Sequence, residues 1–208
     1  GTVLIRFRPK AAGRDGARET LRTRMVIGAD GARSALARQT VKGADKVPSV
    51  FAYHEIIESP DAGSERFAGD RCDIYYEGKY SPDFYSWIFP HGEVTSVGTG
   101  TAQKGFSLRR SIGELRDLTG LDKARTIRTE GAPIPLKAMK KWDNGQDVVL
   151  AGDAAGVVAP ASGEGIYYAM LTGRLAGEAV ATALETGKAK ALATARKRFM
   201  KEHGQVFW

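Results

Sequence analysis

Short apolar runs that stop at glycine and aspartate organise the hydrophobic pattern of this chain. Residues 148–151 are four consecutive apolar side chains, which predict a short buried strand, and Asp153 follows directly after Gly152. Residues 25–27 form a second apolar run, and it ends in the same way at Asp30. Because α/β proteins bind ligands at the carboxyl ends of their parallel strands, both aspartates are candidate ligand-binding residues.

The rest of the pattern predicts a mixture of strands and helices. Alternating apolar and polar positions joined by short turns indicate antiparallel β structure, whereas apolar residues three and four apart indicate amphipathic helices. Ser107 is the predicted N-cap of one such helix. The predicted elements are a hairpin at residues 2–25, an antiparallel sheet within residues 49–100, a helix at 107–118, a strand at 126–133 and helices at 163–185 and 189–203.

Glycines after Asp153 form loops that suit a cofactor. Gly156, Gly163 and Gly165 allow the backbone to approach a flat or charged group, and Gly165 comes directly before a predicted helix. The start of a helix offers unpaired N–H groups and a partial positive charge. The pattern therefore favours a nucleotide-type cofactor whose sugar hydroxyls donate to Asp153. The alternative is a buried strand, a tight turn and a packed helix without a ligand.

Three motifs carry a resemblance to a known family. Residues 28–34 read G-A-D-G-A-R-S, and residues 152–165 contain G-D-A-A-G followed by P-A-S-G-E-G. This pair resembles the two C-terminal fingerprints of FAD-dependent enzymes of the para-hydroxybenzoate hydroxylase type. Residues 81–90, S-P-D-F-Y-S-W-I-F-P, narrow the match, because this string resembles the geranylgeranyl reductases of bacteriochlorophyll and chlorophyll synthesis.

The resemblance implies a mixed α/β fold, with a partial FAD-binding Rossmann-type domain and an antiparallel β-sheet substrate domain. We expect residues 1–46 to contain the hairpin and the G-A-D-G motif, residues 47–132 to form the isoprenoid-binding sheet, and residues 133–208 to return to the FAD domain. The family carries a G-x-G-x-x-G loop on its first strand, and nothing in this sequence supplies that loop. We therefore expect a fragment that is inactive alone.

The resemblance also implies cofactors, a reaction and site residues. FAD and NADPH are the implied cofactors, and the implied reaction reduces C=C bonds of a geranylgeranyl group, carried as a pigment ester or a diphosphate, to phytyl. The implied cofactor-binding residues are Asp30, Gly31, Arg33, Gly152, Asp153, Gly156, Pro160, Gly163, Glu164 and Gly165. The implied substrate-binding residues are Tyr85, Trp87, Phe89 and Pro90.

Several assignments within this interpretation stay open. Arg33 is the candidate cation for the pyrophosphate of FAD, but it is also typical of a solvated arginine at a helix start. The aromatic residues of the S-P-D-F-Y-S-W-I-F-P string share one strand face, which suits either an isoprenoid cleft or an ordinary core. No catalytic residue is predicted. Tyr167, Tyr168 and water are all candidate proton donors.

Charge and cysteine content limit the partners. The chain of 208 residues has a formal net charge of +7, but its basic residues are spread out without a basic stripe interrupted by aromatic residues. We therefore expect no nucleic acid and favour an anionic lipid or a phosphorylated ligand. The single Cys72 cannot form an internal disulfide, and the three histidines form no zinc motif, so we expect no metal. The resemblance implies a cytoplasmic protein peripheral to a photosynthetic membrane.

Two other functions compete with the reductase. An aromatic hydroxylase using flavin and oxygen shares both fingerprints, although the S-P-D-F-Y-S-W-I-F-P string argues against it. A binding module without flavin is favoured by the missing G-x-G-x-x-G loop.

Overall fold

The chain folds into two compact units. The computed structural model describes residues 2–13, 15–61 and 66–207; Arg14, in the predicted hairpin turn, lies outside these ranges. The first unit contains Gly1–Pro48 and Pro135–Trp208, and the second contains Ser49–Ile134. Within the described ranges, no helix is long and apolar enough to cross a membrane.

The strands and helices follow the predicted order. The strands are β1 (Val3–Phe7), β2 (Glu19–Thr23), β3 (Val26–Gly28), β4 (Ser49–Glu58), β5 (Asp73–Tyr75), β6 (Ser86–His91), β7 (Val94–Thr101), β8 (Thr126–Pro135) and β9 (Val148–Leu150). The helices are α1 (Ala35–Thr40), α2 (Leu108–Thr119), α3 (Ile166–Thr186) and α4 (Thr194–His203). Short 3₁₀ segments lie at Lys10–Ala12, Ala44–Lys46, Gly152–Ala155, Ala189–Ala193 and Gly204–Phe207.

The first unit is built on a pair of parallel strands. β3 pairs with β9, and all of β9 is buried. One side of helix α3 carries small residues, including Ala176, Ala179 and Ala183, which pack in the core that contains β9. Because these side chains are small, the helix can pack closely in this core. The hairpin of β1 and β2 is confirmed, and it forms a separate two-stranded sheet.

One predicted helix is divided in the structure. Residues 189–203 were expected to form a single helix, but Ala189–Ala193 is a 3₁₀ segment and α4 begins at Thr194. Gly187 ends α3 in the left-handed conformation with φ of 66°, which places the following residues in a new direction. Leu192 and Phe199 nevertheless both reach the core of the unit, so the change in helix type preserves the apolar face.

The second unit is a five-stranded sheet with a helix on one face. The strand order is β5-β6-β7-β4-β8, and the pairs β5–β6, β6–β7 and β4–β7 are antiparallel, as predicted. Helix α2 begins after Ser107, whose side chain accepts a hydrogen bond from the amide of Arg110, which confirms the predicted N-cap. Ile112 and Leu115 of α2 are buried in the same cluster as Ile88 of the sheet.

A nearly buried ion pair joins α2 to the sheet. Arg116 Nη1 lies 2.5 Å from Glu55 Oε2, and the two side chains are only 10% and 13% exposed. The guanidinium also donates to the carbonyls of Leu121 and Ala124 and to the hydroxyl of Thr126. Because one of its acceptors lies in β4 and the other three lie in residues 121–126, Arg116 fixes the C-terminal end of α2 and the chain that follows it.

We expect Arg116→Ala to lower the free energy of unfolding by about 3–5 kcal/mol, because Glu55 is left as an uncompensated charge in a nearly buried position. Urea denaturation followed by circular dichroism measures the change. Adding Glu55→Gln to the same variant should restore part of the loss. The surface pair of Arg125 with Glu58 is the matched control, and Arg125→Ala should barely change the urea midpoint. Equal losses in the two single variants would contradict this explanation.

Candidate functional site

The two glycine-aspartate motifs meet at one edge of the first unit. Gly28, at the end of β3, pairs with Leu150 of β9, and the amide of Ala151 donates to the carbonyl of Gly28 over 2.9 Å. A Cβ at Gly28 would lie 2.7 Å from Leu150 Cδ2 and 2.9 Å from Leu36 Cδ2, so the close packing of the strands needs glycine there. Residues more than a hundred positions apart thus leave adjacent parallel strands at the edge where α/β folds bind ligands.

Asp30 is committed to its own helix. Its Oδ1 accepts from the Ser34 hydroxyl at 2.5 Å, and its Oδ2 accepts from the amides of Ala35 at 2.9 Å and Leu36 at 3.3 Å. Burial alone would raise the pKa of Asp30, but the hydrogen bonds from Ser34 and from nearby amides together bring that pKa below its ordinary value. Asp30 therefore acts as a capping carboxylate that stabilises the start of α1.

Gly31 and Arg33 lie in the turn that leads to α1. Gly31 has a φ of 81°, a conformation that favours glycine, and this turn places Ser34 as the N-cap of the helix. The side chain of Arg33 is exposed just before that N-cap. A cation at this position can approach an anionic group near the edge that Asp30 and Asp153 share.

Asp153 differs from Asp30 in having few partners. It lies in the 3₁₀ segment after β9, where the Gly152 amide donates to Thr172 Oγ1 over 2.8 Å and the Gly156 amide donates to the Asp153 carbonyl over 2.9 Å. The carboxylate is half-buried, and burial raises its pKa although its own amide acts in the opposite direction. Among the described residues, no side chain donates a hydrogen bond to the Asp153 carboxylate. Asp153 is therefore the carboxylate with unused acceptor capacity.

The P-A-S-G-E-G loop closes on itself beside Asp153. The amide of Gly163 donates to the carbonyl of Ala159, and the amide of Ala159 donates to the carbonyl of Glu164, each over 2.9 Å. Pro160 lies at the start of this loop and is partly buried. A Cβ at Gly165 would lie 3.5 Å from Asp153 Oδ1, so the loop places the start of α3 next to that carboxylate.

Glu164 caps α3, which the sequence reasoning missed. Its Oε1 accepts from the amide of Tyr167 over 2.8 Å, so one of the free N–H groups at the start of the helix is already bonded. An acidic residue just before a helix start is the signal that could have revealed this contact. Glu164 therefore stabilises the start of α3. Because it occupies one amide there, fewer N–H groups remain to bind an anion than an uncapped helix start would offer.

The two candidate proton donors on α3 have different surroundings. Tyr168 packs in an aromatic cluster with Phe199, His203 and Phe207. Tyr167 is 55% exposed in the same helical turn. Of the two hydroxyl-bearing side chains, Tyr167 is the one whose surface is open.

In the second unit, the predicted aromatic residues do share one face of the sheet. The ring centroids of Tyr85 and Trp87 are 5.7 Å apart, and those of Trp87 and Phe89 are 6.1 Å apart. Ile88 points to the opposite face and joins the core beneath α2, while Trp87 and Phe89 are only partly buried. Pro90 continues β6 beyond the residues that pair with β5, where a missing amide is tolerated.

Gly98 supports this aromatic face. It pairs with Trp87 across the sheet, and any Cβ there would overlap the indole ring. Glycine at this position therefore lets the indole lie flat against the backbone of β7. The packing of the Trp87 ring therefore requires glycine at position 98.

A polar network on the same face was also missed. Trp87 Nε1 donates to Ser96 Oγ over 3.1 Å, His54 Nδ1 lies 3.0 Å from that oxygen, and His54 Nε2 lies 3.1 Å from Glu130 Oε2. Because a carboxylate only accepts hydrogen bonds, Nε2 of a neutral His54 carries the proton and Nδ1 accepts from Ser96. The network joins four strands, β4, β6, β7 and β8, so spacing along the sequence could not reveal it.

Comparisons with known proteins agree with this geometry. The FAD binding domain family matches residues 7–203. A geranylgeranyl diphosphate reductase of Rhodobacter capsulatus is 53% identical over 207 residues, which are 100% of this chain and 51% of that protein. A chloroplastic geranylgeranyl diphosphate reductase of Oryza sativa subsp. japonica is 33% identical over 159 residues, covering 76% of this chain and 34% of that protein.

A solved structure shows the same fold. The crystal structure of a geranylgeranyl bacteriochlorophyll reductase-like protein from Thermoplasma acidophilum matches with a TM-score of 0.77 and 24% identity, over 90% of this chain and 49% of that one. The present chain thus spans about half the length of these two proteins, the Rhodobacter enzyme and the Thermoplasma protein. The chain belongs to the FAD binding domain family, and its resemblance to the geranylgeranyl reductases is confirmed.

Proposed function

We propose that this chain belongs to an FAD-dependent reductase that uses NADPH to reduce C=C bonds of a geranylgeranyl group to phytyl, the group being carried as a pigment ester or a diphosphate. The first unit would hold the ring end of FAD, and the aromatic face of the second unit would bind the isoprenoid chain. The identity to the Rhodobacter enzyme over the whole chain supports the reaction.

The observation that carries the FAD assignment is the contrast between the two aspartates. Asp30 accepts three hydrogen bonds from its own helix start, whereas Asp153 is half-buried and accepts only from its own amide among the described residues. A half-buried carboxylate is costly unless donors are supplied. Hydroxyl groups of a flavin sugar chain are such donors, and charge-assisted hydrogen bonds to them would be strong.

The residues around Asp153 fit a flavin ring at the level of shape and charge. Gly163 and Gly165 are partly exposed and leave the loop beside the carboxylate bare of side chains, so a flat ring could approach it. Gly152 and Gly156 are buried and would support the site from behind, since a Cβ at Gly156 would overlap the carbonyl oxygen of Lys137. The start of α3 carries a partial positive charge that would favour negative charge on the ring. We assign Asp30, Gly31 and Arg33 to the pyrophosphate side, with Arg33 as the cation, and Pro160 and Glu164 to the support of the ring-side loop. FAD, when bound, supplies the hydride-transfer chemistry of the reduction.

The isoprenoid assignment depends on the sheet face that α2 does not cover. Tyr85, Trp87 and Phe89 form a continuous stripe of aromatic rings there, and a long hydrocarbon chain needs a surface of this kind. Trp87 and Phe89 are its partly exposed members, and Pro90, on the alternate side of the strand, is assigned to the end of the same site. The hydrogen bond from Trp87 to Ser96 fixes the indole, so the stripe is preorganised for binding.

An anaerobic assay of the intact protein tests the proposed function. NADPH oxidation is followed with geranylgeranyl diphosphate and, separately, with a geranylgeranylated pigment, and the products are identified by mass spectrometry. The proposal expects a gain of two hydrogens for each double bond reduced. No mass gain with either compound, or a gain of one oxygen in air, would overturn it, and the second result would support the hydroxylase.

We expect Asp153→Ala to weaken FAD binding by about ten- to a hundredfold, because the sugar hydroxyls lose a charged acceptor. Flavin absorbance after gel filtration and a fluorescence titration of the apoprotein measure the change. Asp122→Ala, at an exposed position of the second unit, is the matched control and should bind FAD normally. Unchanged flavin content in the Asp153 variant would contradict the assignment.

Asp153→Asn tests whether burial of the Asp153 charge lowers the stability of the apoprotein. Burial holds the pKa of Asp153 above its ordinary value of 3.8, so the wild-type apoprotein loses stability as the pH rises through that raised pKa. An asparagine does not titrate, and at neutral pH the variant apoprotein should melt about 1–3 °C higher than wild type. The difference should shrink as the pH falls towards about 4. If the melting temperature of the variant exceeds that of wild type by the same amount at every pH, burial of the Asp153 charge is not the cause of the difference.

Trp87→Ala should impair the handling of substrate while leaving flavin content near normal, because Trp87 lies outside the core beneath α2. We expect kcat/KM for the geranylgeranyl compound to fall by about tenfold or more, the effect of losing a large apolar contact. Trp142→Ala is the matched control. Trp142 is 1% exposed in the core of the first unit, so its removal should cost about 3–5 kcal/mol of stability. If both variants lose stability alike, Trp87 is a core residue.

A further inference from the structure

The first unit has a strongly basic face that the proposed reaction does not use. Two adjoining grooves of about 680 and 310 Å³ share Lys42 and Lys140. We call their combined lining the basic face. Its cationic members are Lys42, Lys46, Lys137, Lys140, Lys141, Arg196, Lys197 and Lys201. Asp143 is the acidic side chain in the lining of these two grooves, and Asp45 lies in the same turn as Lys46 but lines neither groove.

The charge on this face is not neutralised within the described part of the chain. The seven lysines of the basic face are exposed, and none forms a side-chain ion pair or hydrogen bond with a described residue. Exposed arginines elsewhere, such as Arg125 and Arg198, do pair with carboxylates. The lining of the two grooves thus holds eight cations and one acid, although these residues are scattered along the sequence. This face is therefore a local concentration of positive charge.

Gathering these charges is unfavourable in the free protein. Lys197 and Lys201 are four residues apart on α4, and Lys140 directly precedes Lys141, so like charges repel one another within a short distance. A nearby anionic surface would relieve this repulsion and would be attracted over about a Debye length. The basic face is thus suited to an extended anion more than to a single small one.

We propose that the basic face docks the protein on the surface of an anionic lipid membrane. Seven of its eight cations are lysines, which interact with diffuse negative charge as hydrated point charges. The single arginine, Arg196, already donates through Nε to the carbonyl of Met139 over 2.9 Å. Val47 and Met200 also line the grooves, but both pack against the core of the unit, so the contact with the membrane would be mainly electrostatic.

The composition of the face argues against nucleic acid as the occupant. No phenylalanine, tyrosine or tryptophan is among the residues that line the two grooves, and binding of single strands depends on aromatic stacking. Arginine, which recognises phosphate in a bidentate manner, contributes only Arg196. Charge attraction to lysines without these features fits a lipid surface better than a specific polyanion.

This inference rests on the proposed function for its biological sense, because a geranylgeranylated pigment or diphosphate partitions into membranes. An electrostatic face offers reversible access to such a substrate. Each cation near an anionic surface strengthens binding by about fivefold, and several together give an association that depends steeply on salt.

Vesicle flotation of the intact protein tests the proposal without substrate, so its outcome does not depend on reductase activity. The vesicles are phosphatidylcholine alone, or phosphatidylcholine mixed equally with phosphatidylglycerol. The test variant is Lys140→Glu/Lys141→Glu/Lys197→Glu, and the matched control is Lys10→Glu/Lys104→Glu/Lys123→Glu, at exposed positions outside the basic face. Circular dichroism checks folding, and turnover of detergent-solubilised substrate reports separately on the proposed function.

We expect wild type and control to float with the anionic vesicles only, to lose binding as salt is raised, and to bind at least tenfold more tightly than the test variant. Flavin content and turnover in detergent should be the same in all three proteins. The proposal is wrong if the test variant floats as the control does, if neutral vesicles bind wild type equally well, or if a DNA duplex at equal phosphate concentration displaces the vesicles from wild-type protein.

Discussion

The parallel pairing of β3 with β9 is the contact on which the candidate site depends. The register that places Gly28 opposite Leu150 brings the two glycine-aspartate turns to one edge. A Cβ at Gly28 would approach the ends of the Leu36 and Leu150 side chains to less than 3 Å, so a larger residue would force one of these leucines to move. A displaced register would separate Asp30 from Asp153 and leave neither turn able to serve the same ligand.

The two aspartates at this edge differ in how many hydrogen bonds their carboxylates accept. Asp30 gives its acceptor capacity to α1, which is short and needs a strong cap, and this fixes the turn that carries Arg33. The turn that carries Asp153 is held by α3, because the hydroxyl oxygen of Thr172 accepts a hydrogen bond from the amide of Gly152. The Asp153 carboxylate stays half-buried with capacity to spare. The buried strand β9 offsets this local cost, because all three of its side chains lie in the core.

Local patterns predicted most of the elements, and long-range contacts account for what they missed. The run at residues 148–151, the alternation within residues 49–100 and the cap at Ser107 each contain their signal within a few positions. The sequence did not predict the division of the last helix, because a segment rich in alanine and lysine suits a 3₁₀-helix and an α-helix alike. The link from His54 to Ser96 spans 42 positions, and only the strand order brings the two together.

The two faces of the second sheet explain why Trp87 and Phe89 stay partly exposed. Antiparallel register sends Ile88 and Val97 towards α2, where they form the core with Ile112. The same register sends Trp87 and Gly98 to the other face, so the indole rests on bare backbone and contributes nothing to the packing beneath the helix. The core beneath α2 does not include Trp87 or Phe89, whereas Tyr85 at the end of the stripe is buried. A partly exposed apolar surface, held rigid by Gly98 and Ser96, has the properties that a binding surface for a hydrocarbon chain needs.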